Sequence, residues 1–372
     1  MAKTKIRIAI IGGGLAGTAV PNALVRSGNL DGSGPEAGTI IIDLGGKGDP
    51  GVGVHRASLF REVLSSLPPD RLHASKKLTS ITRQEAEDGA IQASLDDGTV
   101  EHFDAVIGAD GIFSSVRNHV PDGADAALEE HSPSPAGFWD CTALVPFEKA
   151  KSRLGEQYFE VDRLYGWMGD GAFIMHDLLD ARKTVQCVMS MVEKDPSPTP
   201  AKDRKRPVTR ELLNKALHAW LDGPITNGVI DMNLMCYSRW EQKSTPTYAS
   251  GRVCIVGDAA HATSPWQGAG AGQAFENAVV LGALLGGINI TRATDLAAAF
   301  KEFDAVRRPR CQQVIDSSRG TGVIMCGREP DVGLDPDRMR AALAGHWSFI
   351  FSLDLDGHKA DALERMKEFL LE

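Results

Sequence analysis

The segment 251–272, GRVCIVGDAAHATSPWQGAGAG, constrains the fold more than any other stretch of this 372-residue chain. Val253 to Val256 is a short apolar run that predicts a buried strand. Gly257 and Asp258 end it, and small residues then lead into a predicted helix over 273–285. A strand feeding a glycine-rich turn and a helix aims backbone N–H groups and a helix N-terminus at an anion. Asp258, at the strand's end, is placed to accept hydrogen bonds from ribityl or ribose hydroxyls.

A second strand–turn–helix opens the chain. Ile6 to Ile11 predicts a strand, and Thr18 to Arg26 a helix. Between them Gly12, Gly14 and Gly17 fit the G-x-G-x-x-G fingerprint: a tight turn, close approach to a pyrophosphate, and close helix–strand packing. Two such turns in one chain point to two contact zones on one large cofactor. Two features depart from the pattern. Pro21 falls inside the predicted helix, at a cost of about 3 kcal/mol. The acidic ribose ligand, due about 20 residues on, is not obvious, because 29–38 is loop-like in composition. The strand predicted over 39–42 ends at Asp43, one candidate for that acid.

A net charge of −9 argues against nucleic-acid binding, and the basic run 202–206 reads as a solvated loop. No apolar stretch reaches the roughly 18 residues of a membrane span, and the glycine fingerprint within 6–25 argues against a signal peptide. Cys141, Cys187, Cys236, Cys254, Cys311 and Cys326 show no C-x-x-C or zinc spacing. They read as reduced core thiols of a cytoplasmic protein with no metal site.

Between the two turns the pattern changes. A helix is predicted over 57–67, stopped by Pro68 and Pro69, and a hairpin around Asp96-Asp97-Gly98 within 78–103. A strand follows over 104–108. Phe138 to Val145, Tyr165 to Met175 and Thr184 to Val192 predict strands of an antiparallel sheet, Glu211 to Leu221 a helix, and the C-terminal third is helical. The fold class is therefore α/β with an α+β insertion, a parallel-sheet domain interrupted by a sheet domain.

A third motif, Asp110-Gly111, follows the strand over 104–108, with Ser114 and Ser115 as candidate caps. With these turns in order, and with Val54-His55-Arg56-Ala57-Ser58-Leu59 and the AVRRPR run at 305–310, the chain resembles the flavoprotein monooxygenases of the p-hydroxybenzoate hydroxylase fold. The likeness is nearest to the salicylate hydroxylase-like members of fungal metabolism and covers nearly the whole chain.

The resemblance implies a Rossmann-like FAD-binding domain over 1–135 and 245–320, shortened near 28–53. It implies a substrate-binding sheet domain over 136–244 and a helical region over 321–372. Gly12, Gly14 and Gly17 would hold the FAD pyrophosphate, and Arg56 would touch the phosphate or ribityl region. Asp110 and Gly111 would lie near the adenosine and the nicotinamide path. Gly257 and Asp258 would hold the ribityl chain, with Pro265, Gly268, Gly270 and Ala271 facing the isoalloxazine. The implied activity is hydroxylation of a small phenolic substrate with O2 and NADPH or NADH, through a flavin hydroperoxide. His176 is a candidate for assisting phenol ionisation beside its structural reading, and His261 for bracing the loop. Thr142 and Asp177 stand where a dearomatising subset has Arg and Tyr, so that chemistry is not expected. Only 27–53 separates the first helix from Arg56, where family members carry a second Rossmann strand with its acid. A truncated or non-catalytic homologue with impaired FAD binding therefore stays open as the alternative.

Overall fold

The computed structural model describes residues 7–11, 28–30, 40–42, 56–65, 67–83, 89–120, 132–193, 205–206, 208–217, 220, 228, 235–242, 244–287 and 290–371. Its strands are β1 (Ile8–Ile11), β2 (Gly28–Leu30), β3 (Ile40–Ile42), β4 (Leu78–Arg83), β5 (Ile91–Leu95), β6 (Val100–Phe103), β7 (Ala105–Gly108), β8 (Ser134–Pro146) and β9 (Tyr165–Gly169). The rest are β10 (Ala172–Leu179), β11 (Thr184–Val192), β12 (Lys205–Arg206), β13 (Met235–Glu241), β14 (Ala249–Ser250) and β15 (Val253–Ile255). Helices are α1 (Arg56–Ser65), α2 (Phe147–Leu154), α3 (Arg210–Ala216), the single turn α4 (Asp258–His261), α5 (Gly270–Gly287), α6 (Ala293–Met325), α7 (Pro336–Leu343), α8 (Ser348–Phe351) and α9 (Leu355–Leu371).

Every residue of β7 is buried, as a central parallel strand covered on both faces requires. It pairs in parallel with β1 on one side and β15 on the other, and β14 closes the far edge antiparallel. Val106, Ile107, Val253, Cys254 and Ile255 share one core with Phe300, Phe303 and Val306 of α6 and Met366 of α9. Gly108 ends β7 because nothing larger fits: a Cβ there would lie 2.6 Å from the Val116 Cβ. The meander β4-β5-β6 turns at Gly98 (φ +84°), at the hairpin expected from the sequence. α1 ends at Ser65, ahead of Pro68 and Pro69.

The second sheet has eight strands in the order β12-β13-β8-β11-β10-β9-β2-β3. One face packs with α2 and α3 through Trp139, Trp167, Ile174 and Trp220. The other packs with Trp266, the end of α6, Met339 of α7 and Trp347 through Phe138, Met168 and Phe173.

Several expectations change. The run Tyr165 to Met175 is two strands, β9 and β10, reversed at Asp170-Gly171 with Gly171 at φ +74°. An Asp-Gly pair between apolar runs is a hairpin signal, outweighed in the sequence by the continuous apolar pattern around it. Lys205 and Arg206, read as solvated loop, pair with Tyr237 and Cys236 at the sheet edge. The helix expected to reach Leu221 ends at Ala216, and the Trp220 indole donates to the Asp170 carbonyl instead. The helix expected from Gln273 starts at Gly270. β2 and β3, whose residues fall in the first expected domain, join the large sheet, β2 running parallel to β9. The predicted helix over 18–26 with Pro21, and Gly12, Gly14, Gly17 and Asp43, lie outside the described residues. Among the described residues no helix is long and apolar enough to cross a membrane.

Gly322 on α6 lies against the Trp266 indole, so closely that a Cβ would overlap the ring. Gly322→Ala should therefore expel Trp266 from its seat and cost about 1–3 kcal/mol by overpacking. Denaturant unfolding checks the stability loss and tryptophan fluorescence the displaced ring.

Candidate active site

β15 delivers the chain to Gly257, whose φ of 59° and ψ of −144° only glycine adopts readily. Its N–H donates to Asn277 Oδ1 on α5 at 3.1 Å, and His261 Nε2 lies 2.6 Å from the same oxygen. Asp258 opens the turn α4 with its side chain exposed. Among the described residues, its carboxylate accepts no hydrogen bond.

Behind this turn lies Arg117, only 4% exposed. Its Nε donates to the Ala259 carbonyl at 2.7 Å and its Nη2 to the Asp258 carbonyl at 3.1 Å. Its Nη1 donates to the Ile112 carbonyl at 2.8 Å. Burial pushes the guanidinium down to about 10, against the nearby charges of Asp110 and Asp258, so it stays a cation at neutral pH. The two acid–glycine motifs, more than a hundred residues apart, are thus clasped by one side chain. Asp110 caps the turn it starts: it accepts from Ser114 Oγ, from the Ser115 N–H at 2.7 Å and from the Val116 N–H at 3.2 Å. The serines expected as caps are donors to this carboxylate, although Ser114 Oγ also accepts from the Arg117 N–H at 2.9 Å. Gly111, at φ +82°, has nothing within 4 Å of where a Cβ would be.

The loop after α4 alternates between anchors and open positions. Trp266 is buried edge-on to Phe138, with ring centroids 4.9 Å apart, and tilted against Phe173 at 5.9 Å. Gln267 Nε2 donates to Ser317 Oγ at 2.8 Å and to the His346 carbonyl at 2.7 Å, and Ser318 Oγ donates to the Ser264 carbonyl at 2.6 Å. Pro265 and Gly268 point outward, and Gly268 is left-handed at φ 66°. Gly270, Ala271 and Gly272 start α5 half-exposed, and a Cβ on Gly272 would meet nothing within 4 Å. The first N–H groups of α5, lacking partners within the helix, are therefore presented at an open surface.

Behind the loop runs a buried polar chain. Arg307, fully buried on α6, binds Glu276 Oε2 at 2.6 Å and Gln273 Oε1 at 2.9 Å, and reaches Cys311 Sγ at 3.4 Å. Burial alone would discharge His261, but Cys311 beside it raises its affinity for a proton. Burial likewise opposes the Cys311 thiolate, and His261 and Arg307 outweigh it.

Cross-strand pairs share a face of the sheet. One row on the Trp266 side is Tyr237, Asp140, Ser190, Phe173 and Met168, and the next is Met235, Thr142, Val188, Met175 and Gly166. Phe138 and Phe173 are buried by Trp266, whereas Thr142, Val188 and Met175 are half-buried and Leu144 is 54% exposed. The sheet face thus opens as it leaves the loop. Asp140, 1% exposed, is paired with Arg239 Nε of β13. His176 is not on this face. It pairs with Tyr165 and Cys187, and its ring stacks on Tyr165 and Trp167 at 5.4 and 5.3 Å.

A family model described as FAD binding domain matches residues 59–318. The chain belongs to this family. It is 33% identical over 318 residues to a 6-methylsalicylate 1-monooxygenase of Aspergillus terreus, covering 83% of this chain and 68% of that one. It is 31% identical over 330 residues to the salicylate hydroxylase of Pseudomonas putida, covering 85% and 74%. Among solved structures, a salicylate hydroxylase in complex with substrate superposes with a TM-score of 0.81 at 22% identity, covering 97% and 98% of the two chains. The fold is that of salicylate hydroxylase, and other sequence relatives, such as one from Phaeosphaeria nodorum that is 29% identical over 355 residues, are named FAD-dependent monooxygenases.

The described half of the site fits the flavin that the family binds. Asp258 keeps unused acceptors on an exposed carboxylate, and the residues that start α5 are half-exposed. Asp258, Pro265 and Gly268 are exposed and Gly270 and Ala271 half-exposed, while Gly257 is buried beneath them; Arg117 links the turn after Asp110 and Gly111 to the one at Asp258. Arg56 opens α1, its side chain outside what is described, as are Gly12, Gly14 and Gly17. Sequence reasoning missed Arg117, Asn277 and Arg239. Arg117 comes two residues after Ser115, close to the Asp110-Gly111 turn, but an arginine after a turn more often faces solvent.

Two outcomes are expected. Asn277→Leu strands the buried Gly257 N–H and the His261 ring, at about 1–3 kcal/mol for each unpaired group; a lower unfolding midpoint with reduced flavin content checks it. His176 is pushed down to about 4 by burial, partly offset by its hydrogen bond to the Tyr158 carbonyl. Its contribution is fully present above the unfolded value of 6.5 and is lost as pH falls towards 4, because the unfolded chain then binds the extra proton. Between pH 7.5 and pH 5 wild type should lose about 2 kcal/mol more than His176→Gln, measured by denaturant titration.

Proposed function

We propose that this chain is a cytoplasmic FAD- and NAD(P)H-dependent monooxygenase that hydroxylates the ring of a small phenolic acid. The observation that carries this reading is the unpartnered Asp258 carboxylate and open α5 start, set beside a half-open sheet face across Trp266. Asp258 would accept hydrogen bonds from the ribityl hydroxyls. The free N–H groups at the start of α5 would lie beside the ring system and favour negative charge there. Bound FAD, reduced by NAD(P)H, supplies the activation of O2 that no side chain provides.

The residues of this chain orient the substrate and keep water away. The row Thr142, Val188 and Met175 offers an aromatic ring two apolar contacts and one hydroxyl. Trp266, Phe138 and Phe173 close the inner end. On the family resemblance Thr142 and Asp177 stand where a dearomatising subset has Arg and Tyr, which favours simple ring hydroxylation, with or without loss of a carboxyl group. The six described cysteines are all free and buried, in keeping with a reducing compartment.

The second reading, a homologue with impaired FAD binding, has one observation in its favour. Residues 28–30 and 40–42 are committed to the large sheet, and among the described residues the parallel sheet takes no strand from between β1 and β7. Purified protein decides between them. A near-stoichiometric flavin spectrum, with NAD(P)H oxidation stimulated by hydroxybenzoates and a product one oxygen heavier on the ring, is the expected result. Colourless protein that cannot be reconstituted with FAD sinks the monooxygenase reading. Asp258→Ala should abolish bound flavin, measured by absorbance after gel filtration, while leaving the fold intact by circular dichroism.

A further inference from the structure

We propose that Cys311 of α6 is a positioning residue for the cofactor turn: it gives its proton to His261, and the resulting thiolate–imidazolium pair fixes Gly257 and Asp258 through Asn277. This rests on the flavin-binding reading of that turn and adds the internal charge pair that holds it.

The geometry turns on one oxygen. Asn277 Oδ1 accepts from the Gly257 N–H at 3.1 Å and lies 2.6 Å from His261 Nε2. An amide oxygen only accepts, so Nε2 carries a proton. The same buried ring hydrogen-bonds Cys311, itself buried. The backbone N–H of His261 donates to the Gly257 carbonyl at 2.9 Å. His261 thus holds Gly257 twice, through its own backbone and through Asn277. Arg117 holds the carbonyls of Asp258 and Ala259 in the same turn.

The surroundings of the sulfur decide where the second proton sits. Arg307 Nη2 donates to Cys311 Sγ at 3.4 Å. The Tyr248 hydroxyl hydrogen-bonds the same sulfur, and burial with the nearby Cys311 pushes that phenol up, so it keeps its proton and donates. The amide oxygen facing Sγ, Gln273 Oε1 at 3.5 Å, already accepts from Arg307 Nη2 at 2.9 Å. A sulfur facing an arginine N–H, a phenol O–H and an imidazole has the surroundings of a thiolate. Burial opposes that charge, but His261 and Arg307 outweigh it, against Glu276. The neighbouring acids are engaged elsewhere. Glu276 is bound by Arg307 at 2.6 Å and Arg310 at 3.4 Å, and Asp304 accepts from Arg308 at 3.0 Å and from the Tyr248 N–H at 2.7 Å. His358 of α9, 3.2 Å from Arg307 Nη1, is pushed down by burial and adds no charge at neutral pH. The anion matched to His261 is therefore Cys311.

The test uses the full chain freed of flavin, with FAD as the ligand. Burial pushes the thiols of Cys141, Cys187, Cys254 and Cys326 up, so they stay protonated at neutral pH. The ultraviolet thiolate band, taken as wild type minus Cys311→Ser, therefore isolates Cys311. It should be present at neutral pH, vanish on acidification, and be missing from His261→Gln. In Cys311→Ser, hydrogen exchange of the segment 256–262 should quicken about tenfold and FAD bind about tenfold more weakly, as loss of a charged hydrogen bond requires. Cys311→Asp restores a fixed negative charge and should recover both relative to Cys311→Ser; a packing role predicts the reverse, because serine is nearer cysteine in size. No difference band, unchanged exchange in Cys311→Ser, or an aspartate variant worse than the serine one overturns the proposal. Wild type that shows the band and the exchange pattern but binds no FAD overturns the flavin reading instead and leaves the pair standing.

Discussion

The guanidinium of Arg117 is the point on which the rest of the site depends. Burying a cation is unfavourable unless each of its donors finds an acceptor and opposite charge lies near. Here the acceptors are three backbone carbonyls, those of Ile112, Asp258 and Ala259, and the charges are Asp110 and Asp258. No local force holds the turns after β7 and β15 together, since they come from distant parts of the chain. Their parallel pairing brings the strand ends side by side, and Arg117 converts that proximity into a fixed distance. The Asp258 carboxylate is left pointing outward because its own carbonyl and the next are both held from behind.

Trp266 extends the same logic to the second sheet. It lies in the cofactor loop, packs into Phe138 and Phe173 of the large sheet, and rests on Gly322 of α6. A loop rich in glycine and alanine would otherwise have little to fix it. The indole, with the Gln267 and Ser318 hydrogen bonds, sets the loop against the sheet, so the candidate cofactor surface and the candidate substrate surface share one boundary. Among the described residues the Trp266 Nε1 has no partner, which shows that ring packing, not hydrogen bonding, holds it.

The strand–turn–helix motifs were legible in the sequence because each is local: the apolar run, the glycines that permit positive φ, and the small residues that open a helix are contiguous. The parallel sheet followed from their order. What the sequence did not reveal was which face of a strand a residue takes. His176 and Met175 are neighbours, yet one belongs to the aromatic cluster with Tyr158 and Trp167 and the other to the open face. With both faces of β10 largely apolar, the usual alternation of polar and apolar residues gives no direction. Arg117 and Asn277 were hidden for another reason. Each acts on backbone groups of a distant turn, and nothing in its own neighbourhood announces that target.

The placement of β2 and β3 bears on how the binding is shared across the cofactor. A segment that hydrogen-bonds along β9 cannot at the same time be a parallel strand beside β1, because each strand edge has one set of donors and acceptors. β3 therefore belongs to the large sheet and not to the parallel sheet. The ribose-binding acid of a dinucleotide fold works by standing at the end of the second parallel strand, and neither β2 nor β3 is such a strand. The cost falls on the adenosine end of the cofactor. The surface proposed for the flavin, Gly257, Asp258 and the loop to Ala271, is built instead around β15, α5 and α6. A chain with this distribution should favour contacts to the ribityl chain and ring over contacts to the adenosine, and FMN should compete with FAD more effectively here than in relatives with a full second strand. Competition for the flavin-free protein, read by flavin fluorescence quenching, checks this; a preference for FAD as large as in those relatives would show that the adenosine is anchored by other groups.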